Sequence, residues 1–119
     1  MYLESFKQLT VWQRAMELVK ETYLVTGHFP RSELYGLVNQ MRRSAVSIPS
    51  NIAEGEKRKT TKDFLLFLRM ADGSAAELET QVLIAKSLYT DINFFRQENL
   101  LTEVQKMLNA IIKKLEAKL

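Results

Sequence analysis

Residues 36–58, GLVNQMRRSAVSIPSNIAEGEKR, keep apolar side chains at a helical spacing straight through a proline. Leu34, Leu37, Val38, Met41, Ala45, Ile48 and Ile52 fall on one stripe, which predicts a helix from near Ser32 to Gly55. Pro49 removes one backbone bond and crowds the carbonyl four residues back, so a kink near Ala45 is expected, not a break. Arg42, Arg43, Asn51 and Glu54 lie within the same stretch. A helix that only had to pack would not need them, so the segment has a task beyond bundle stability.

Working outward, the rest of the chain is also helical, with two prolines, four glycines and no sustained alternation of polar and apolar residues. The first helix is predicted to start at Thr10, with Gln13 closing a capping box, and to bury Trp12, Met16, Val19 and Tyr23 before Gly27 and Pro30 stop it. The polar connector KRKTTKD leads to a third helix over about 63–88, capped by Thr60 or Thr61. Its main face carries Phe64, Phe67, Leu68, Ala71, Ala75, Leu78, Val82 and Ala85. Leu65, Leu66, Met70, Leu83, Ile84 and Leu88 lie off that face. A fourth helix, from the mid-90s to about Lys118, presents Leu101, Val104, Leu108, Ile111, Ile112 and Leu115. The predicted fold is all-α: a single domain over 1–119, an antiparallel up-down four-helix bundle with a kinked second helix.

Composition narrows the function. A chain of 119 residues can bury roughly two thirds of its unfolded surface without staples. With no cysteine and one histidine, disulfide frameworks, thiolate zinc sites and thiol nucleophiles are excluded, and a reducing cytoplasm is the expected compartment. The opening MYLESFKQLT does not read as a signal peptide. The longest apolar run, Phe64 to Leu68, is far short of the ~20 residues of a membrane span, so no membrane partner is expected. The formal charge of +3 is mild, which makes the distribution of cations more telling than their sum.

Four groups of residues bear on function. Gly73, amid small neighbours in a helix interior, reads as a point of close approach to helix two. Gln40, Arg43, Asn51, Glu54, Glu77 and Glu79, together with Arg42, are expected to form a polar network between helices two and three. Arg42, Arg43, Lys57, Arg58, Lys59 and Lys62 are the candidate phosphate contacts, with Lys106, Lys113, Lys114 and Lys118 as a second basic group and Tyr89, Phe94 and Phe95 as candidate base-stacking rings. Val11, Leu18 and Val25 recur every seven residues, about 120° from the Trp12 stripe, and with Leu66, Met70 and Ile84 they are the candidate oligomer interface. Glutamates replacing Val11 and Leu18 would then give a folded, dissociated bundle. No metal or cofactor is expected: di-metal bundles need Glu-x-x-His pairs, and the single His28 sits in a GHFP turn. Catalytic residues are not apparent either, with no nucleophile beside a base and no glycine-rich phosphate loop.

The segments FKQLTVWQRAMELV, FPRSELYGLVNQMRRSAVSIPSNIAEG with Arg58, and FLLFLRMADGSAAELE together resemble the bacterial four-helix-bundle family encoded in intervening sequences of 23S rRNA genes. The likeness runs from Phe6 to about Leu115, with Trp12, Gly36, Gln40, Arg43, Asn51, Glu54, Gly55, Arg58, Gly73, Ser74, Glu77 and Glu79 on the family pattern. It implies an antiparallel bundle, a barrel-like homopentamer and no catalytic activity. It also brings in relatives that accompany diversity-generating retroelements and associate with nucleic acid and a reverse transcriptase. The expected protein is a non-enzymatic homo-oligomer, a pentamer, that binds rRNA or another nucleic acid. The alternative is an adaptor ring with a protein partner and no nucleic-acid role.

Overall fold

The computed structural model describes residues 5–119, so the first four residues of the opening stretch lie outside it. After a single 3-10 turn, Phe6–Gln8, the chain forms α1 (Thr10–Thr26), an irregular helical segment over 31–38, then α2 (Asn39–Glu56), α3 (Thr61–Leu88) and α4 (Phe95–Glu116). Contacts between helices run in opposite numerical directions. Ser47 meets Ser74 while Gly55 meets Phe64 and Phe67, and Lys86, Glu79 and Arg69 of α3 bind Glu98, Gln105 and Glu116 of α4. Each helix packs on its sequence neighbours, α1 also packs on α4, and the diagonal pairs barely touch. The result is a square, antiparallel up-down bundle measuring 45 × 22 × 21 Å.

The inward face of α1 is not the expected one. Val11, Leu18 and Val25 are 2%, 0% and 5% exposed and line the core with Ala15 and Thr22, whereas Met16 and Tyr23 are exposed and Trp12 and Val19 only half-buried. The true stripe alternates large residues with an alanine and a threonine. It is the less bulky of the two faces and yet the one that fits. Thr22 and Thr26 are tolerated inside because their hydroxyls donate to the carbonyls of Leu18 and Thr22 at 2.8 and 2.7 Å. Val11, Leu18 and Val25 are thus removed from the candidate interface. The capping box is also absent. Leu9 occupies the N-cap position, and the Gln13 amide donates to the Lys7 carbonyl at 2.8 Å instead.

Helix two runs uninterrupted through Pro49, and helical dihedrals are lost at Gly36 (φ −109°, ψ −110°), not near Ala45. That break leaves Leu34 exposed. The polar residues after the proline bond back into the turn before it: Ser50 Oγ donates to the Val46 carbonyl and Asn51 Nδ2 to the Ser47 carbonyl, both at 2.8 Å. Thr60 caps α3, its hydroxyl accepting from the Asp63 amide at 3.1 Å. Leu65 proves buried with Leu68, Ala71, Ala75, Leu78 and Val82, while Leu66, Met70, Leu83, Ile84 and Leu88 remain exposed.

The close approach of α2 and α3 falls at Gly55, not at Gly73. α2 ends at Glu56, one residue beyond Gly55, which is buried where α2 crosses α3, and a Cβ there would lie 2.6 Å from Phe67 Cβ. Gly73 faces outward with no atom within 4 Å of where its Cβ would be, so the ~1 kcal/mol it costs the helix is not offset within the chain.

One buried polar contact ties α1 to α4. Gln97 is fully buried, its Nε2 donates to Thr22 Oγ1 at 3.0 Å, and its Oε1 has no partner among the described residues. An orphaned buried acceptor costs roughly 1–3 kcal/mol, against about 1 kcal/mol gained from the bond. Gln97→Met, close in volume, is therefore expected to raise stability by about 1 kcal/mol in urea denaturation. A lowered midpoint would show that a bound water or a repacked side chain satisfies the oxygen.

Candidate functional site

Helices α2 and α3 meet along a polar seam. Ser47 Oγ and Ser74 Oγ share a hydrogen bond of 2.8 Å, and Asn51 Nδ2 reaches Ser47 Oγ at 3.0 Å. Arg58 closes the seam at its far end, pairing with Glu54 at 2.7 Å while its guanidinium lies 4.7 Å from the Phe67 ring centre. The expected single network does not form. Glu79 accepts from Gln105 of α4, because residues two apart on a helix point to nearly opposite sides and Glu77 and Glu79 cannot both face α2. Arg42 turns to α1, donating to Thr26 Oγ1 at 3.0 Å and covering the Tyr23 ring. Gln40, Arg43 and Glu77 are at the surface, and neither Arg43 nor Glu77 makes an ion pair among the described residues.

The candidate phosphate contacts divide into two groups. Arg42 and Arg43 lie about 20 Å from Lys57 along α2, at 1.5 Å per residue. Lys57, Arg58, Lys59 and Lys62 occupy the α2–α3 corner, all exposed. Antiparallel topology brings the end of α4 to that same end of the bundle, so Lys113, Lys114 and Lys118 join them. Of the carboxylates at this end, Glu54 and Glu116 are engaged with Arg58 and Arg69, Glu56 and Asp63 are in no ion pair, and none of these lysines makes one among the described residues. Two basic groups more than fifty positions apart in sequence thus share one end of the bundle. Up-down connectivity alone would have placed them together, a signal that reading each cluster separately missed.

The opposite end is built differently. Phe94 is buried, and Tyr89 packs 5.3 Å from Phe29 while donating its hydroxyl to Glu33. That bond, aided by burial and by the charge of Glu33, raises the Tyr89 phenol above its ordinary pKa. Both rings are structural, which leaves Phe95 as the exposed candidate for stacking. Among the described residues no three His, Cys, Asp or Glu side chains gather as metal ligands, and no helix is long and apolar enough to cross a membrane.

Comparison with known proteins agrees with this architecture. A family profile described as 23S rRNA-intervening sequence protein matches residues 7–110. A solved structure of a protein of unknown function from the S23 ribosomal protein family of Bacteroides thetaiotaomicron is similar over 87% of this chain and 99% of its own, at 25% identity and a TM-score of 0.79. No curated protein gives a significant match.

Proposed function

The chain belongs to the 23S rRNA-intervening sequence protein family, and from that membership we propose a non-catalytic, homo-oligomeric cytoplasmic module, a ring of five subunits, that binds structured RNA through the basic end of each bundle. The observation that carries this reading is the gathering of Lys57, Lys59, Lys62, Lys113, Lys114 and Lys118, all exposed and none in an ion pair among the described residues, at one end of the bundle. Lysines left unpaired release counterions from phosphates when they bind, so repetition around a ring multiplies a mild charge into useful affinity. Arg42, held by Thr26 and Tyr23, has a structural role in this reading, and Arg58 contributes once its bond to Glu54 opens.

Light-scattering mass with and without 23S rRNA fragments, at low and high salt, tests the proposal. An oligomer whose mass rises with RNA only at low salt supports it. Replacing Lys57, Arg58 and Lys59 together by alanine is expected to leave the oligomer intact and reduce the slope of log affinity against log salt by about 2–3. An oligomer that ignores RNA at every salt concentration favours the adaptor reading, for which the exposed apolar residues of α3 speak.

A further inference from the structure

A groove runs along the outside of the bundle between α1 and α2. Trp12, Met16 and Val19 form one wall, and Val46, Pro49 and Ala53 the other. It exists because α1 turns its less bulky stripe inward and leaves its larger side chains on the flank, where Met16 is 36% exposed and Val46, across from it, 41%. An apolar trough between two helices is the seat a third helix takes in helix-in-groove recognition.

Beyond Val46 the lining changes character, passing to Tyr23, Asn39, Arg42, Arg43 and Ser47. No carboxylate lines either half. Arg42 is held from two sides: its Nε donates to Thr26 Oγ1 at 3.0 Å, and its guanidinium carbon stands 4.4 Å from the Tyr23 ring centre. Neither terminal nitrogen of that guanidinium makes a hydrogen bond among the described residues, so the fork is fixed in direction and left unused. Arg43 beside it is exposed and makes no ion pair among the described residues. The carboxylates of the facing stretch of α1 are engaged elsewhere, Glu17 with Arg14 and Glu21 with Arg96.

This combination selects a guest with an anionic end and an apolar side. From Arg43 to Ala53 the groove extends about 15 Å, close to three turns of helix. We propose that it receives an amphipathic helix of another protein, whose first-turn carboxylates meet Arg42 and Arg43 and whose apolar side chains at i, i+4 and i+7 lie against Met16, Trp12 and Pro49. The first turn is where a helix best accommodates negative charge, so the guest runs from Arg43 toward Ala53, parallel to α2. RNA offers phosphates but no continuous apolar face, and its proposed seat is the lysine-rich end. The two readings concern different surfaces and stand independently.

Trp12 is the chain's single tryptophan and lines the groove, so its emission reports on occupancy of this surface. The probe is a synthetic helical peptide of about 14 residues, free of aromatic side chains, with glutamates in its first turn and leucines along one face. The peptide is expected to shift Trp12 emission saturably to shorter wavelength. Lysines in place of its glutamates, or Arg43→Glu in the protein, should each weaken binding about tenfold, and joining the two changes should recover part of the loss. Val46→Glu, at an exposed position, is expected to abolish the shift while helicity, light-scattering mass and RNA binding stay unchanged. No shift with peptide up to ~1 mM overturns the proposal. So does binding that survives Arg43→Glu but is lost when Lys57, Arg58 and Lys59 are replaced by alanine, which would put the acidic peptide on the basic end. A lower mass for Val46→Glu would mean that a second copy already covers the groove, and overturns it as well.

Discussion

Leu18→Glu is expected to unfold the chain, not to release a folded monomer. Leu18 has no exposed surface and stands between Ala15 and Thr22 on the inner face of α1. Losing a buried leucine costs about 2–5 kcal/mol, and a carboxyl group in its place adds desolvation, with the nearest cation one turn away, Arg14, already paired with Glu17 and Glu103. The combined loss, upwards of ~5 kcal/mol, is comparable with the whole stability of an ordinary domain, about 5–15 kcal/mol. Circular dichroism at 25 °C should show most of the helicity gone. A folded, monomeric Leu18→Glu protein would return this stripe to the interface and put the core of α1 on the wrong face. Met70→Glu is the matched control, the same charge placed on an exposed position.

The second large effect is expected at Gly55. Alanine there sets a methyl group 2.6 Å from Phe67 Cβ, 3.0 Å from Phe64 Cδ1 and 3.3 Å from the Phe64 carbonyl oxygen. Two of those atoms cannot swing away, one being a Cβ and the other backbone, so α2 and α3 must separate where they pack most extensively. Overpacking of this kind costs about 1–3 kcal/mol, and the rigidity of the contact puts Gly55→Ala near the upper end, ~3 kcal/mol. Thermal denaturation should show a midpoint roughly 10 °C lower. An unchanged midpoint would mean that the helices relax apart at little cost. Gly73→Ala reverses the sign for the isolated bundle: the added methyl meets no atom, and the helix gains about 1 kcal/mol.

These two positions show where sequence reading succeeds and where it stops. The four helices, the Thr60 cap, the passage of α2 through Pro49 and most of the core faces of α2, α3 and α4 follow from local periodicity and capping chemistry, and the structure has them, with Leu34 exposed and Leu65 buried as the exceptions. The basic end needed only topology added to the sequence. The polar network did not survive, since a list of charged residues says nothing about which flank of a helix each one reaches. Arg42 went to α1, Glu79 to α4, and Arg43 and Glu77 to the surface.

By itself the sequence determined that this chain is a four-helix bundle, because a period of 3.6 residues is a property of each segment alone. Only the tertiary structure decided which apolar stripe of α1 turns inward and which glycine is pressed against another helix. Close helix approach selects small side chains at the contact, and the bundle's centre is built on Ala15, Ser44, Ala45, Ala71, Ser74 and Ala75 among the larger residues. Side-chain bulk ranks those positions low. The larger Trp12, Met16 and Tyr23, which it ranks high, are pushed to the flank, where they form the edge of a groove instead of the core.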